Sequence, residues 1–168
     1  MEVIANTTII SNFAAVGQLG LLCDVLGRVF ISTEVYAEIQ DGLAADSGFY
    51  LGIERHIHPF APDGWLRLTT LEGDDELRLF GELPDALHRA EASCLAVAAH
   101  RGWALLTDDA RARKAAHDWK VVVSGTLGVL VQAVRRGLLT LEDGDALLAE
   151  MIAAGYRSPY GSLAQLVS

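Results

Sequence analysis

Basic charge is what this sequence lacks most clearly: 13 Lys and Arg stand against 22 Asp and Glu, for a net charge of -9. A protein that grips nucleic acid mainly by neutralising phosphates carries the opposite balance, so that mode of binding is not expected here. Cysteine is nearly absent. Cys23 and Cys94 stand alone inside apolar stretches, which suits reduced core residues and neither a disulfide nor a zinc site. No apolar run approaches the ~20 residues that span a bilayer. The opening MEVIANTTII has no basic stretch and no small-residue cleavage site, so a cytoplasmic protein without a signal peptide or membrane contact is expected. The 5 histidines show no metal-ligand spacing, and His56 and His58 fall in an irregular stretch that suits the surface. Ser124-Gly125-Thr126-Leu127-Gly128 lacks the lysine and the glycine spacing of a phosphate-binding loop.

What is present is a packable chain. Its 168 residues are 51% hydrophobic and 21% charged, which excludes disorder and fits one domain. Four short apolar runs read as buried parallel strands: Val3-Ile4-Ala5, Arg28 to Ile31, Trp103 to Leu106 and Val121 to Val123. A further short strand is expected at Trp65 to Leu71. Helix-period sequence follows each run, with Ser32 or Thr33 as an N-cap and Gly102 as a C-terminal stop. The longest clear helix runs from His88 to Arg101. Residues 44–64, with Gly48, Gly52, Pro59, Pro62 and Gly64, read as an irregular insertion or lid with one helical turn. Residues 138–168 read as a C-terminal helical extension. Alternating strands and helices predict an α/β fold in three layers, helices on both faces of a mainly parallel sheet. The apolar helix Leu127 to Val134 suits either the core or a homodimer face.

The polar residues fall where such a sheet binds ligands, outside the carboxyl ends of its strands. Asn6-Thr7-Thr8 follows the first strand, Thr107-Asp108-Asp109 the third and Ser124-Gly125-Thr126 the fourth. Helix capping and turn chemistry explain any one of these cheaply. Their convergence on one rim, with two adjacent carboxylates, points to a site. Glu91 shares a helix face with Cys94, Leu95 and Ala98, placing a carboxylate at the end of an apolar stripe. A buried acid tends to be neutralised, paired or metal-bound. The milder account is the helix dipole, which favours an acid in the first turn by ~0.3–1 kcal/mol. Glu34 and Glu38 sit at i and i+4, a like-charge spacing that destabilises by roughly 0.2–0.5 kcal/mol without a cation. Of that group Glu38 is the one expected to point inward, while Glu34 and Asp41 suit a solvated face. Arg111, Arg113 and Lys114 follow the acid pair and suit either phosphate contact or solvent.

Three segments together resemble the PIN-domain superfamily: VIANTTIISNFAAVGQLGLL, LHRAEASCLAVAA, and LLTDDARAR followed by SGTLGVL. The resemblance covers nearly the whole chain and is closest to a prokaryotic branch similar to the toxin ribonucleases of toxin–antitoxin pairs. It implies a parallel sheet sandwiched by helices and an acidic pocket for one or two Mg²⁺ or Mn²⁺ ions. By that resemblance the catalytic acids are Glu38, Glu91, Asp108 and Asp109, with Asp109 the better match of the last two. Asn6, Glu38, Glu91 and Asp109 would hold metal. Thr126, Ser124 and Thr7 would support them, and Arg111 and Arg113 would meet substrate. Asn6 departs from the pattern, standing where the family has its first acid. The implied activity is metal-assisted hydrolysis of single-stranded RNA, with an antitoxin as partner. Two alternatives remain: a PIN-like protein that binds RNA or a partner without cutting, and an unrelated α/β enzyme acting on a phosphorylated small molecule at the same rim.

Overall fold

The computed structural model describes all of residues 1–168. Six strands form one sheet, β1 (Val3–Ala5), β2 (Val29–Ser32), β3 (Ile57–His58), β4 (Leu66–Thr69), β5 (Ala104–Leu106) and β6 (Val123–Ser124), in the order β3-β4-β2-β1-β5-β6. Every pairing is parallel. Nine helices accompany them: α1 (Thr7–Ala15), α2 (Leu19–Leu26), α3 (Thr33–Ala44), α4 (Gly73–Glu82), α5 (Arg89–Arg101), α6 (Ala110–Asp118), α7 (Thr126–Arg135), α8 (Leu141–Ala153) and α9 (Ala164–Val167).

The short apolar runs become strands because both faces of the sheet are covered. Ile4, Ile31 and Leu66 are fully buried in three successive strands, as a parallel sheet between helix layers requires. One set of helices, α4, α5 and α6, packs through α5, while α1, α2, α7 and α8 pack against one another. Helix α3 touches both α1 and α5. Its first turn therefore rises at the rim between the two layers. The buried residues Leu130 and Ala133 put the apolar face of α7 in the core, where α2 and α8 cover it. That face is spent on the core, while Leu127 stays partly exposed.

Residues 44–64 hold more structure than their composition predicts. Two 3-10 turns, Gly48–Tyr50 and Ile53–His56, lead into β3, which adds an edge strand to the sheet. A two-residue strand leaves no period to read, so only its partner β4 defines it. Gly64 is needed at this point: a β-carbon there would run into the backbone of residues 56–58.

The chain moves outward from β1 to β2 and β4, then returns past β1 to β5 and β6. The direction reverses beside β1, and such a switch point opens a crevice at the carboxyl ends of the flanking strands. No single helix is long and apolar enough to cross a membrane.

Candidate functional site

The ends of β1, β2 and β5 each give rise to a helix, and the residue at each junction caps it. Asn6 Oδ1 accepts from Ile9 N, Ser32 Oγ from Val35 N at 3.1 Å, and Asp109 Oδ1 from Ala112 N at 2.9 Å. Capping thus accounts for one atom of each of these residues. The question is what their remaining atoms face.

A small cavity of about 150 Å³ lies at the switch point, lined entirely by polar residues that include Asn6, Thr7, Ser11, Glu38, His88 and Glu91. Glu38 stands on the solvent-facing side of α3 and leans over this cavity, so it is an exposed carboxylate at a mouth and not an inward one. Its Oε2 accepts from the Thr7 hydroxyl. Glu91 is half-buried, and its Oε2 accepts from the His88 backbone N–H at 3.2 Å. Burial pushes the Glu91 carboxyl above the usual range, and the negative charges of Asp109 and Glu38 push it further, against the N–H and charge of His88. Glu38 on α3 and Asp109 at the cap of α6 therefore both act against the ionised form of Glu91.

Asn6 closes the floor. It is 1% exposed, and every polar atom of its amide is engaged. Nδ2 donates to Thr107 Oγ1 at 2.6 Å, while Oδ1 accepts from the Thr8 hydroxyl at 2.8 Å as well as from Ile9 N. Thr107, fully buried, also accepts from Asp109 N at 3.2 Å.

Asp108 goes elsewhere. Its Oδ1 accepts from Thr126 N at 2.9 Å, and its Oδ2 from the Thr126 hydroxyl at 2.6 Å and Asn12 Nδ2 at 3.2 Å. Both oxygens are thus committed to holding α7 against α1. Thr126 is fully buried by the same bonds, so it braces Asp108 and does not face the small cavity. Asp108, Ser124 and Arg113 line a second, larger cavity of about 600 Å³ on the far side of β5. Arg111 is exposed and lines neither cavity.

Of the residues expected at the site, Asn6, Thr7, Glu38 and Glu91 come together at the small cavity, with Asp109 near enough for its charge to act on Glu91, while Asp108, Ser124, Thr126 and Arg113 gather next door. Asn12 and His88 escaped the sequence reading as site residues, and Thr107 was read only as part of the polar group after β5. Asn12 lies mid-helix and His88 only precedes one, so neither position carries a signal of its own. The most buried carboxylate is outside the site altogether. Burial pushes Glu76 up, but Arg101, with Nε at 2.6 Å, outweighs it and holds the carboxyl below the usual range.

Whether this cavity suits a divalent cation rests on its donors. Glu38, Glu91 and Asp109 each have one oxygen bound to protein and one without a protein partner. Yet no three Asp, Glu, His or Cys side chains stand close enough to cage an ion. That arrangement fits a hydrated ion reached by one or two carboxylates, as Mg²⁺ is commonly held, and not an all-protein cage.

A parallel α/β/α domain with carboxylates facing one another at its switch point belongs to the class whose ligand site is the carboxyl rim. Residues 2–168 match the family described as PIN domain, and the chain belongs to it. PIN domains have a nuclease-like fold, generally use divalent metal ions and are associated with nucleic acid substrates. No curated protein and no solved structure matches the chain.

Proposed function

We propose that this protein is a divalent-metal-dependent ribonuclease of PIN type, with Glu38, Glu91 and Asp109 as its working carboxylates. The observation that carries the reading is the gathering of Glu38 and Glu91 in one all-polar cavity, with Asp109 near enough for its charge to add to the burial that raises the Glu91 carboxyl. Like charges gathered without a counter-charge destabilise a fold, and a bound cation removes that penalty.

Mg²⁺ or Mn²⁺ at this place would supply positive charge for the phosphate and lower the pKa of an attacking water. The residues do the remainder. Thr7 and the His88 N–H each hold one carboxylate oxygen and so aim the other. The α6 cap fixes Asp109 in the same way. Glu91, with one oxygen free of protein partners and its carboxyl raised by burial, is the group placed to accept a proton at the cavity. Asn6 contributes no charge and no free oxygen, so cation affinity should be weak.

That last point favours a second reading, a PIN-like protein that binds RNA or a protein partner without cutting it. The chemistry of the first reading also suits a toxin whose antitoxin covers the acidic rim. Titrating Mn²⁺ while following thermal unfolding and cleavage of single-stranded RNA, for the native chain and Asn6→Asp, separates these readings. Stabilisation at 100 times Kd should approach ~2.7 kcal/mol. Cleavage by both proteins supports the nuclease. Cleavage by Asn6→Asp alone makes the native chain a binding module. No response to metal from either protein sinks the metal site.

A further inference from the structure

The larger cavity has a different composition from the acidic one, and the nuclease reading leaves it without a role. Its walls come from α6, from the β6–α7 junction and from the C-terminal segment 156–166. Its volume of about 600 Å³ lies inside the range of about 300–1,000 Å³ typical of small-molecule and cofactor pockets. Leu127 and Val131 give it an apolar floor, Tyr156 and Tyr160 bring aromatic rings, and Arg113 and Arg157 bring positive charge.

Both arginines are available. Arg113 Nε donates to the Thr107 carbonyl at 3.0 Å, which fixes the guanidinium plane, and its terminal nitrogens take no hydrogen bond within the protein. Neither Arg113 nor Arg157 forms an ion pair, although the chain carries nine more acids than bases. Asp108, at the cavity edge, is already matched by three donors and so presents a muted charge. Tyr160 is 41% exposed, yet its loop is fixed, with Tyr160 N donating to Ser158 Oγ and Ser162 Oγ donating to Asp145 at 2.9 Å. Burial, aided by the nearby Asp108 charge, pushes the Tyr156 hydroxyl up to about 12, so it stays a protonated donor on the wall.

We infer that this cavity takes one splayed-out nucleotide of a single-stranded RNA, its base against Tyr160 and its phosphate on Arg113 and Arg157. The inference rests on the nuclease reading and adds the substrate's recognition site to it. An aromatic face accepts any base, and a guanidinium fork matches a phosphate in two bonds. A base must leave its helix to enter a concavity of this kind, so a duplex does not qualify. Asp108 borders this cavity and its neighbour Asp109 acts on Glu91, so the two sites adjoin along one stretch of chain.

The test is fluorescence anisotropy of a short labelled single-stranded RNA on the full chain in EDTA, where nothing can be cut. Tyr160→Ala and Arg157→Gln should each weaken binding on the order of 10-fold. Tyr160→Phe should keep it, as stacking needs only the ring. Arg78→Ala, at an exposed arginine outside the cavity lining, should bind like the native chain. Thermal unfolding read alongside should be unchanged, separating lost contact from lost fold. Native-like RNA binding by Tyr160→Ala and Arg157→Gln overturns the inference. So does adenosine monophosphate that binds the native chain but is not displaced by RNA, which would make this a site for a free nucleotide. Parallel cleavage assays with Mn²⁺ keep the two readings apart. If the native chain cuts RNA and the variants bind and cut equally well, only the cavity assignment fails. If the native chain neither binds nor cuts, both fail.

Discussion

Asp108 and Asp109 are adjacent in the chain and serve opposite sides of the same rim. Asp109 spends one oxygen on the α6 cap and lies near enough to Glu91 to raise its pKa. Asp108 spends both oxygens on Thr126 and Asn12 and borders the larger cavity. The small cavity is polar and negative. The large one is half apolar and holds arginine. Two neighbouring carboxylates therefore differ in job because of what donors surround them, not because of their own chemistry.

That contrast can be broken at either residue. The largest expected effect is on activity: Asp109→Asn or Glu91→Gln should reduce metal-dependent RNA cleavage on the order of 100-fold or more, with urea unfolding showing the fold retained. Asp108→Ala should act mainly on stability. It strands the Thr126 N–H, the buried Thr126 hydroxyl and the Asn12 amide, for a loss of ~3 kcal/mol in the same urea experiment. Asp109→Ala removes only a helix cap, ~1 kcal/mol. Equal losses for the two alanines would erase the distinction. Gly125→Ala should destabilise by ~1–3 kcal/mol, since a β-carbon there meets the Asp108 carboxylate and the Arg113 guanidinium.

The smallest effect is a pH dependence. Glu91 has a folded pKa raised above its unfolded value, so its contribution to stability is present below the ordinary glutamate range. It is lost as pH rises through the raised value. Between those limits the folded state holds more protons than the unfolded one. Metal-free thermal stability should therefore fall over that window in the native chain, and Glu91→Gln should flatten the slope. A slope that persists in Glu91→Gln would assign it to another group.

Much of this was legible in the sequence. The runs 3–5, 28–31 and 103–106 show as buried strands because both of their faces are covered, while the run 121–123 overlaps β6 at Val123 alone. Caps at Asn6, Ser32 and Asp109 show because capping uses the local chain. Strand β3 left no trace, because two residues cannot display a period. Asn12 was invisible for a related reason: its role depends on a contact distant in the chain, with Asp108 96 positions away. Glu38 was placed at the site, but as an inward residue, since helix spacing gives a face and not its depth.

The sequence by itself determined the layered parallel fold, the rim at which its polar residues collect and the PIN-domain family. The fold and the rim follow from period, capping and turn chemistry, all of which act over a few residues, whereas the family shows as the resemblance of three segments of the chain. Only the tertiary structure decided which rim atoms were already spent on protein hydrogen bonds. It left Glu38, Glu91 and Asp109 each with an open oxygen, closed Asn6 and Asp108, and brought Tyr160 and Arg157 from the far end of the chain to Arg113. An oxygen's freedom depends on every donor within about 3 Å of it, and that neighbourhood is assembled only when the chain has folded.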